Sequence, residues 1–141
     1  MSYSILIVDD SLPMRSVIKR TLKAAGYGSS DMLEASNGKE ALKLMDGAWI
    51  DLIMTDYNMP EMNGLEFIKA VKQGDLSKNI PVVVISTEGN DEKIKEFMAA
   101  GAAGYITKPF TAEAIRDLII NILGEIDYEE DVDESDDDFD F

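Results

Sequence analysis

Cysteine and histidine are both absent from the 141 residues. A chain without thiols builds neither a disulfide framework nor a thiolate metal site, and one without imidazole lacks the usual acid, base and nitrogen ligand. Zinc chemistry and serine–histidine hydrolysis are excluded. Long apolar runs are missing too: the start, MSYSILIVDD, meets two acids after a short apolar stretch and has no basic opening, so it does not read as a signal peptide. No segment reaches the roughly 20 apolar residues of a membrane-spanning helix, and a cytoplasmic protein with no membrane insertion is expected. Positive charge is scarce, 13 Lys and Arg against 28 Asp and Glu, a net charge of −15. That balance offers no basic footprint for nucleic acid or an anionic membrane. The deficit is uneven, because residues 127–141 carry ten acids and no base, leaving −5 for the rest. The expected organisation is one ordinary domain over residues 1–126 and an acidic tail over 127–141 too poor in apolar residues to pack.

Within residues 1–126 one cycle recurs. Ile5-Leu6-Ile7-Val8 is too short and too β-branched for a helix and reads as a strand buried on both faces. Ser11 then caps a helix with Pro13 in its first turn and Val17, Ile18, Leu22 and Ala25 at helical spacing, stopped by Gly26 and Gly28. Met32–Ala35, Asp51–Thr55, Val82–Ile85 and Ala103–Ile106 read as further strands. Each is followed by a helix, the second capped by Asn37, the third entered through Gly64 and the last capped by Thr111. Five strands alternating with five helices through short connections predict a doubly wound α/β fold with a five-stranded parallel sheet. In such sheets ligands bind at the carboxyl ends of the strands, beside the point where the strand order reverses.

Those ends carry Asp9 and Asp10 after strand one, Asp56 after strand three, Ser86 after strand four and Lys108 after strand five. Carboxylates gathered on one rim repel one another, at about 4 kcal/mol for a pair about 4 Å apart in an effective dielectric of about 20. A hard cation relieves that repulsion, and carboxylates with a backbone carbonyl and waters suit Mg²⁺. Lys108 can neutralise one phosphoryl oxygen and the Ser86 hydroxyl can donate to another. Asp56 is then the candidate nucleophile, able to form an acyl phosphate. Thr87 also offers a hydroxyl, but Ser86 directly follows the apolar strand. Each residue has a plainer reading as turn acid, helix cap or solvated lysine; their conjunction favours a site.

IVDD, TDYNMPEMNGLEFIK, PVVVIS and GYITKPF, in this order, resemble the receiver domain family of response regulators, in particular its stand-alone CheY-like chemotaxis regulators, over about residues 4–124. The resemblance implies a flavodoxin-like strand order 2-1-3-4-5 and a phosphoryl group taken from a histidine kinase on Asp56. Asp10 would bind Mg²⁺ directly and Asp9 largely through water, with the Asn58 backbone carbonyl completing the site. Ser86 would be the switch hydroxyl, Lys108 the phosphate-binding lysine on a cis bond to Pro109, and Tyr105 an aromatic that changes rotamer on activation. The Asn58 and Glu88 side chains would tune phosphoryl lifetime or phosphatase access. Output is expected through protein contact by a monomer, on the face of helix four, strand five and helix five, with a flagellar switch component the leading partner.

Other readings stay open at this level. Aspartyl-phosphate phosphatases and phosphotransferases also use Mg²⁺ and an aspartate, but place Asp-x-Asp after their first strand. A flavin carrier shares the strand order, yet no Ser/Thr/Gly-rich phosphate loop follows Val8. A phosphate sink or a pseudo-receiver interaction module would have the same one-domain form. The tail, with Tyr128, Phe139 and Phe141, is expected to serve solubility, to dock on a basic partner groove, or to fold back over the domain and tune access.

Overall fold

A computed structural model describes residues 3–87 and 91–124. Strands β1 (Ser4–Val8), β2 (Asp31–Ala35), β3 (Leu52–Asp56), β4 (Val82–Ser86) and β5 (Gly104–Thr107) alternate with helices α1 (Leu12–Leu22), α2 (Gly38–Gly47), α3 (Gly64–Gln73), α4 (Asp91–Ala100) and α5 (Ala112–Leu123). All strand pairs are parallel, in the order β2-β1-β3-β4-β5. The order reverses between β1 and β3, which puts the crevice predicted from sequence above the ends of these two strands.

The central strands are buried on both faces, so their apolar runs do not alternate with polar residues. Ile5 and Ile7 of β1 pack with Ile18, Leu22, Ile115 and Ile119 of α1 and α5 on one face. Leu6 and Val8 pack with Ala41, Phe67, Ile68 and Phe97 of α2, α3 and α4 on the other. Truncating one of the leucines or isoleucines among them to alanine costs about 2–5 kcal/mol, because the cavity left behind relaxes only in part. The caps at Ser11, Asn37 and Thr111 form as expected, each side chain accepting an N–H of its own first turn. Asn63 caps α3 in a reciprocal box with Glu66.

Each of the five strands and the first helix differ from expectation at a boundary: β1 begins at Ser4, β2 begins at Asp31 and β4 runs through Ser86, one residue longer than expected in each case. The first helix is stopped by Gly26 alone: after Leu22 it widens into a π-helical turn over Lys23–Tyr27, where Gly26 takes φ 105°, while Gly28 has an ordinary φ of −65°. Strand β3 runs one residue further, so Asp56 belongs to the strand and pairs with Ile85. The last strand likewise begins at Gly104 and runs through Thr107. The end of β5 is set by Ser86, which pairs with Thr107. Among the described residues no helix is long and apolar enough to cross a membrane. The tail 127–141 and the domain boundary at residue 126 lie outside the described residues.

Candidate functional site

The site is built by the ends of β1, β3 and β5. The Asp9 N–H continues the ladder by donating to the Ala35 carbonyl at 3.0 Å, which carries the chain to the rim before it turns. There the Asp9 Oδ1 accepts the Ser11 N–H at 2.8 Å, while Ser11 caps α1 through the Met14 N–H. Asp56 reaches the same rim from β3. Just beyond it, Gly64 is obligatory: a Cβ there would lie 2.7 Å from the Asp56 carbonyl oxygen, and its N–H donates to the Tyr57 carbonyl at 2.7 Å.

Asp9, Asp10 and Asp56 each bring a carboxylate oxygen within 4.8 Å of one another. Asp9 and Asp56 are buried and Asp10 is exposed. Lys108 spans the buried pair, its Nζ 3.2 Å from the Asp56 Oδ1 and 3.7 Å from the Asp9 Oδ2. The lysine is carried in from β5 on a cis bond to Pro109, and its N–H donates to the Ser86 carbonyl at 2.9 Å. One ammonium against three carboxylates leaves a local charge of about −2. The imbalance shows in the acids themselves: burial pushes Asp9 upward from the ordinary carboxylate range, only partly offset by the Ser11 N–H and Lys108. Burial also raises Asp56, with the Asp9 charge adding to it.

The rim therefore fits a small divalent cation on its own evidence. The donors are all oxygens, as Mg²⁺ prefers, their charge calls for two positive units, and the Asp9 Oδ2 is buried without a hydrogen-bond partner. A buried acceptor without a donor is costly unless a ligand completes it.

The remaining expected residues fall as follows. Ser86 ends β4 and is buried, whereas Thr87 is exposed, so of the two hydroxyls it is that of Ser86 that lies within the structure. Asn58 is exposed on the loop after Asp56. Tyr105 lies on β5 beside Val84, half-buried against the cluster of α2, α3 and α4. Glu88 lies outside the described residues.

Three features escape the sequence reading. Arg15 of α1 donates to the Asp9 carbonyl. Tyr57, next to Asp56, packs its ring against Phe97 of α4, centroids 5.1 Å apart and planes tilted by 56°, and receives the Lys93 ammonium at 3.1 Å on its hydroxyl. Glu61, in the same loop, takes φ 69° while the Met62 N–H closes on the Pro60 carbonyl at 2.7 Å. Such a γ-turn is rare and strained for a residue with a Cβ, and no glycine or asparagine marks it in the sequence.

Comparison with known proteins gives the class. Residues 5–120 match the response regulator receiver domain, and the chain belongs to that family. Among individual relatives it is similar to the chemotaxis protein CheY1 of Helicobacter pylori, 42% identical over 121 residues that cover 85% of this chain and 96% of the relative. A chemotaxis CheY homolog of Campylobacter jejuni is 39% identical, covering 85% of this chain and 92% of that one. Of solved structures, chemotaxis protein CheY4 of Vibrio cholerae superposes with a TM-score of 0.78 at 37% identity, over 86% of this chain and 99% of that one.

Proposed function

We infer that this chain is a phosphorylation-activated response regulator of chemotaxis or motility, which accepts a phosphoryl group from a histidine kinase on Asp56 and signals through protein contact. The observation that carries the reading is the Lys108 ammonium held between Asp56 and Asp9 at the mouth of a three-carboxylate rim. A lysine in that place can pair with a phosphoryl oxygen once Asp56 has been modified.

In the transfer an Asp56 carboxylate oxygen attacks phosphorus, the bond from phosphorus to the donor breaks with its electron pair leaving on the donor, and an acyl phosphate results. Water later attacks phosphorus, returning the carboxylate and inorganic phosphate. The protein positions and neutralises charge: Lys108 meets one phosphoryl oxygen and the Ser86 hydroxyl donates to another. Asp9, Asp10, Asp56 and the Asn58 backbone carbonyl are the groups that would hold Mg²⁺, which when bound supplies Lewis-acid charge neutralisation. The Asn58 side chain stands at the exposed edge, where it can influence water or phosphatase approach.

The output face we assign to α4, β5 and α5, with Tyr105 at its centre. Tyr57 supports this, because the residue after the acceptor bears directly on α4. A charged hydrogen bond contributes about 1.5–3 kcal/mol, while inverting a 1:99 equilibrium takes about 5.5 kcal/mol. Phosphorylation thus moves the isolated domain part of the way and partner binding completes the shift. Cytoplasmic location and a monomeric state follow from the same reading.

The test is incubation with acetyl phosphate and Mg²⁺, comparing the wild type with Asp56→Asn by intact mass. One phosphoryl increment in the wild type and none in the variant is expected; an increment in both, or in neither folded protein, overturns the assignment. Partner affinity with and without beryllofluoride tests the output face, and equal affinities refute it.

A further inference from the structure

Both ladders that flank β1 end at Val8, opposite Ala35 and Thr55. The Asp9 N–H makes the last ladder bond, to Ala35, and the Asp9 carbonyl sits beyond the last paired position of the sheet. A side chain takes it instead: Arg15 Nη1 donates to this oxygen at 2.6 Å, and the same guanidinium donates from Nε to the Glu34 Oε1 at 2.8 Å. The second Glu34 oxygen accepts from Lys19 Nζ at 2.6 Å. Arg15 is 14% exposed, a largely desolvated guanidinium held by a carboxylate of β2 and a main-chain oxygen of the rim.

The bond Arg15 holds is the one that joins the two acids. The Asp9 carbonyl and the Asp10 N–H lie in a single planar peptide, so fixing the carbonyl fixes the position of the Asp10 Cα relative to Asp9 and leaves the Asp10 carboxylate only its own torsions. Asp10 is exposed and makes no hydrogen bond of its own among the described residues that would hold it there, while Asp9 is buried and tied to Ser11.

We propose that Arg15, anchored by Glu34, is a positioning residue for the acid pair, setting the Asp9–Asp10 peptide so that both carboxylates face one cation. The proposal rests on the reading of the rim as a Mg²⁺ and phosphoryl site. Glu34 supplies the anchor: its two donors, Lys19 foremost and then Arg15, hold its carboxyl below the usual range, so it stays charged and keeps the guanidinium in place. The planar fork matters, because it reaches a carbonyl and a carboxylate in fixed directions at once, which an ammonium on a flexible stem does not.

Sign separates positioning from simple charge. A guanidinium beside a divalent site repels the cation, so electrostatics alone requires that Arg15→Met bind Mg²⁺ more tightly. A positioning role requires the reverse, with the loss of about 10-fold or more that follows removal of a group orienting metal ligands.

The measurement is Mg²⁺ titration of the full chain by calorimetry, with melting curves in metal-free buffer alongside. The Asp10→Asn chain keeps the acidic tail and supplies the background for binding outside the rim. Arg15→Met is expected to raise the Mg²⁺ dissociation constant about 10-fold, and Arg15→Lys, which keeps the charge without the fork, to stay weakened. Arg15→Met binding as tightly as the wild type or tighter, or Arg15→Lys restoring full affinity, overturns the positioning role. If Arg15→Met fails to fold, Arg15→Lys alone decides. Asp10→Asn binding Mg²⁺ like the wild type would instead overturn the underlying reading of the rim.

Discussion

At the start of β3, Asp51 accepts the Ser4 N–H on one oxygen and the Trp49 indole N–H on the other, each at 2.8 Å. At the opposite rim of the sheet, Asp9 accepts the Ser11 N–H on one oxygen and leaves the other buried, with only the Lys108 ammonium 3.7 Å away. The same side chain ends a strand ladder in both places. Where the chain supplies every donor, the aspartate closes the fold; where a donor is withheld, the aspartate has an oxygen free for a ligand. Buried acids that the protein could have satisfied and did not are thus a physical marker of a ligand site.

Breaking the satisfied acid has the largest effect on the fold. Asp51→Ala takes the charged acceptor from the part-buried Ser4 N–H and releases the exposed indole N–H to water, and is expected to cost about 1.5–3 kcal/mol in urea unfolding, while phosphorylation by acetyl phosphate proceeds as in the wild type. Loss of phosphorylation in a folded Asp51→Ala chain would erase the distinction between the rims.

At the other rim the sign reverses. Burial raises Asp9 and Asp56 above the ordinary carboxylate range, so the folded protein holds protons that the unfolded chain releases. Their contribution favours the fold below the ordinary range and is lost as pH rises through the raised values. Asp9→Asn should remove part of that loss and stabilise the metal-free protein by about 1–2 kcal/mol near neutral pH, with a smaller gain in acid. Urea midpoints across the acid-to-neutral range decide it: a destabilised Asp9→Asn at neutral pH would put the two aspartates in one category.

Backbone strain sharpens the contrast by a smaller amount. Glu61 holds φ 69° at the carboxyl rim, and asparagine enters that region more cheaply than glutamate. Glu61→Asn is expected to stabilise the fold by about 1 kcal/mol, read from the thermal midpoint; an unchanged midpoint would mean that the turn stores no strain. Smallest of all, Leu76→Ser at the amino rim, where the side chain is 96% exposed, should stay within about 0.5 kcal/mol of the wild type.

How much of this was legible in the sequence depended on how local its cause is. The five strands announce themselves because burial on both faces demands unbroken apolar runs such as Ile5–Val8 and Val82–Ile85. Strand order came from resemblance, and so did the cis bond at Pro109. The rim acids were legible because strand ends are where such folds place ligands. Strand ends moved by a residue because pairing between neighbours, as with Asp56 opposite Ile85, fixes them rather than the apolar run. Arg15 was not legible: an arginine just past a helix cap looks solvated until β2 brings Glu34 alongside it. The left-handed Glu61 was hidden for a related reason, since the loop, and not the residue's own preference, imposes its φ.

Trp49 is the only tryptophan in the chain, and it stands 80% exposed beside Asp51 at the amino rim. Its indole is the brightest natural fluorophore the protein possesses, at the end of the sheet remote from the acids. Emission excited through it is a poor gauge of metal binding or phosphorylation, and because the indole is already in water it shifts little on unfolding. A spectroscopist wanting to watch Asp56 would move the probe, exchanging Trp49→Phe and Tyr57→Trp, so that the reporting ring sits one residue from it and against α4.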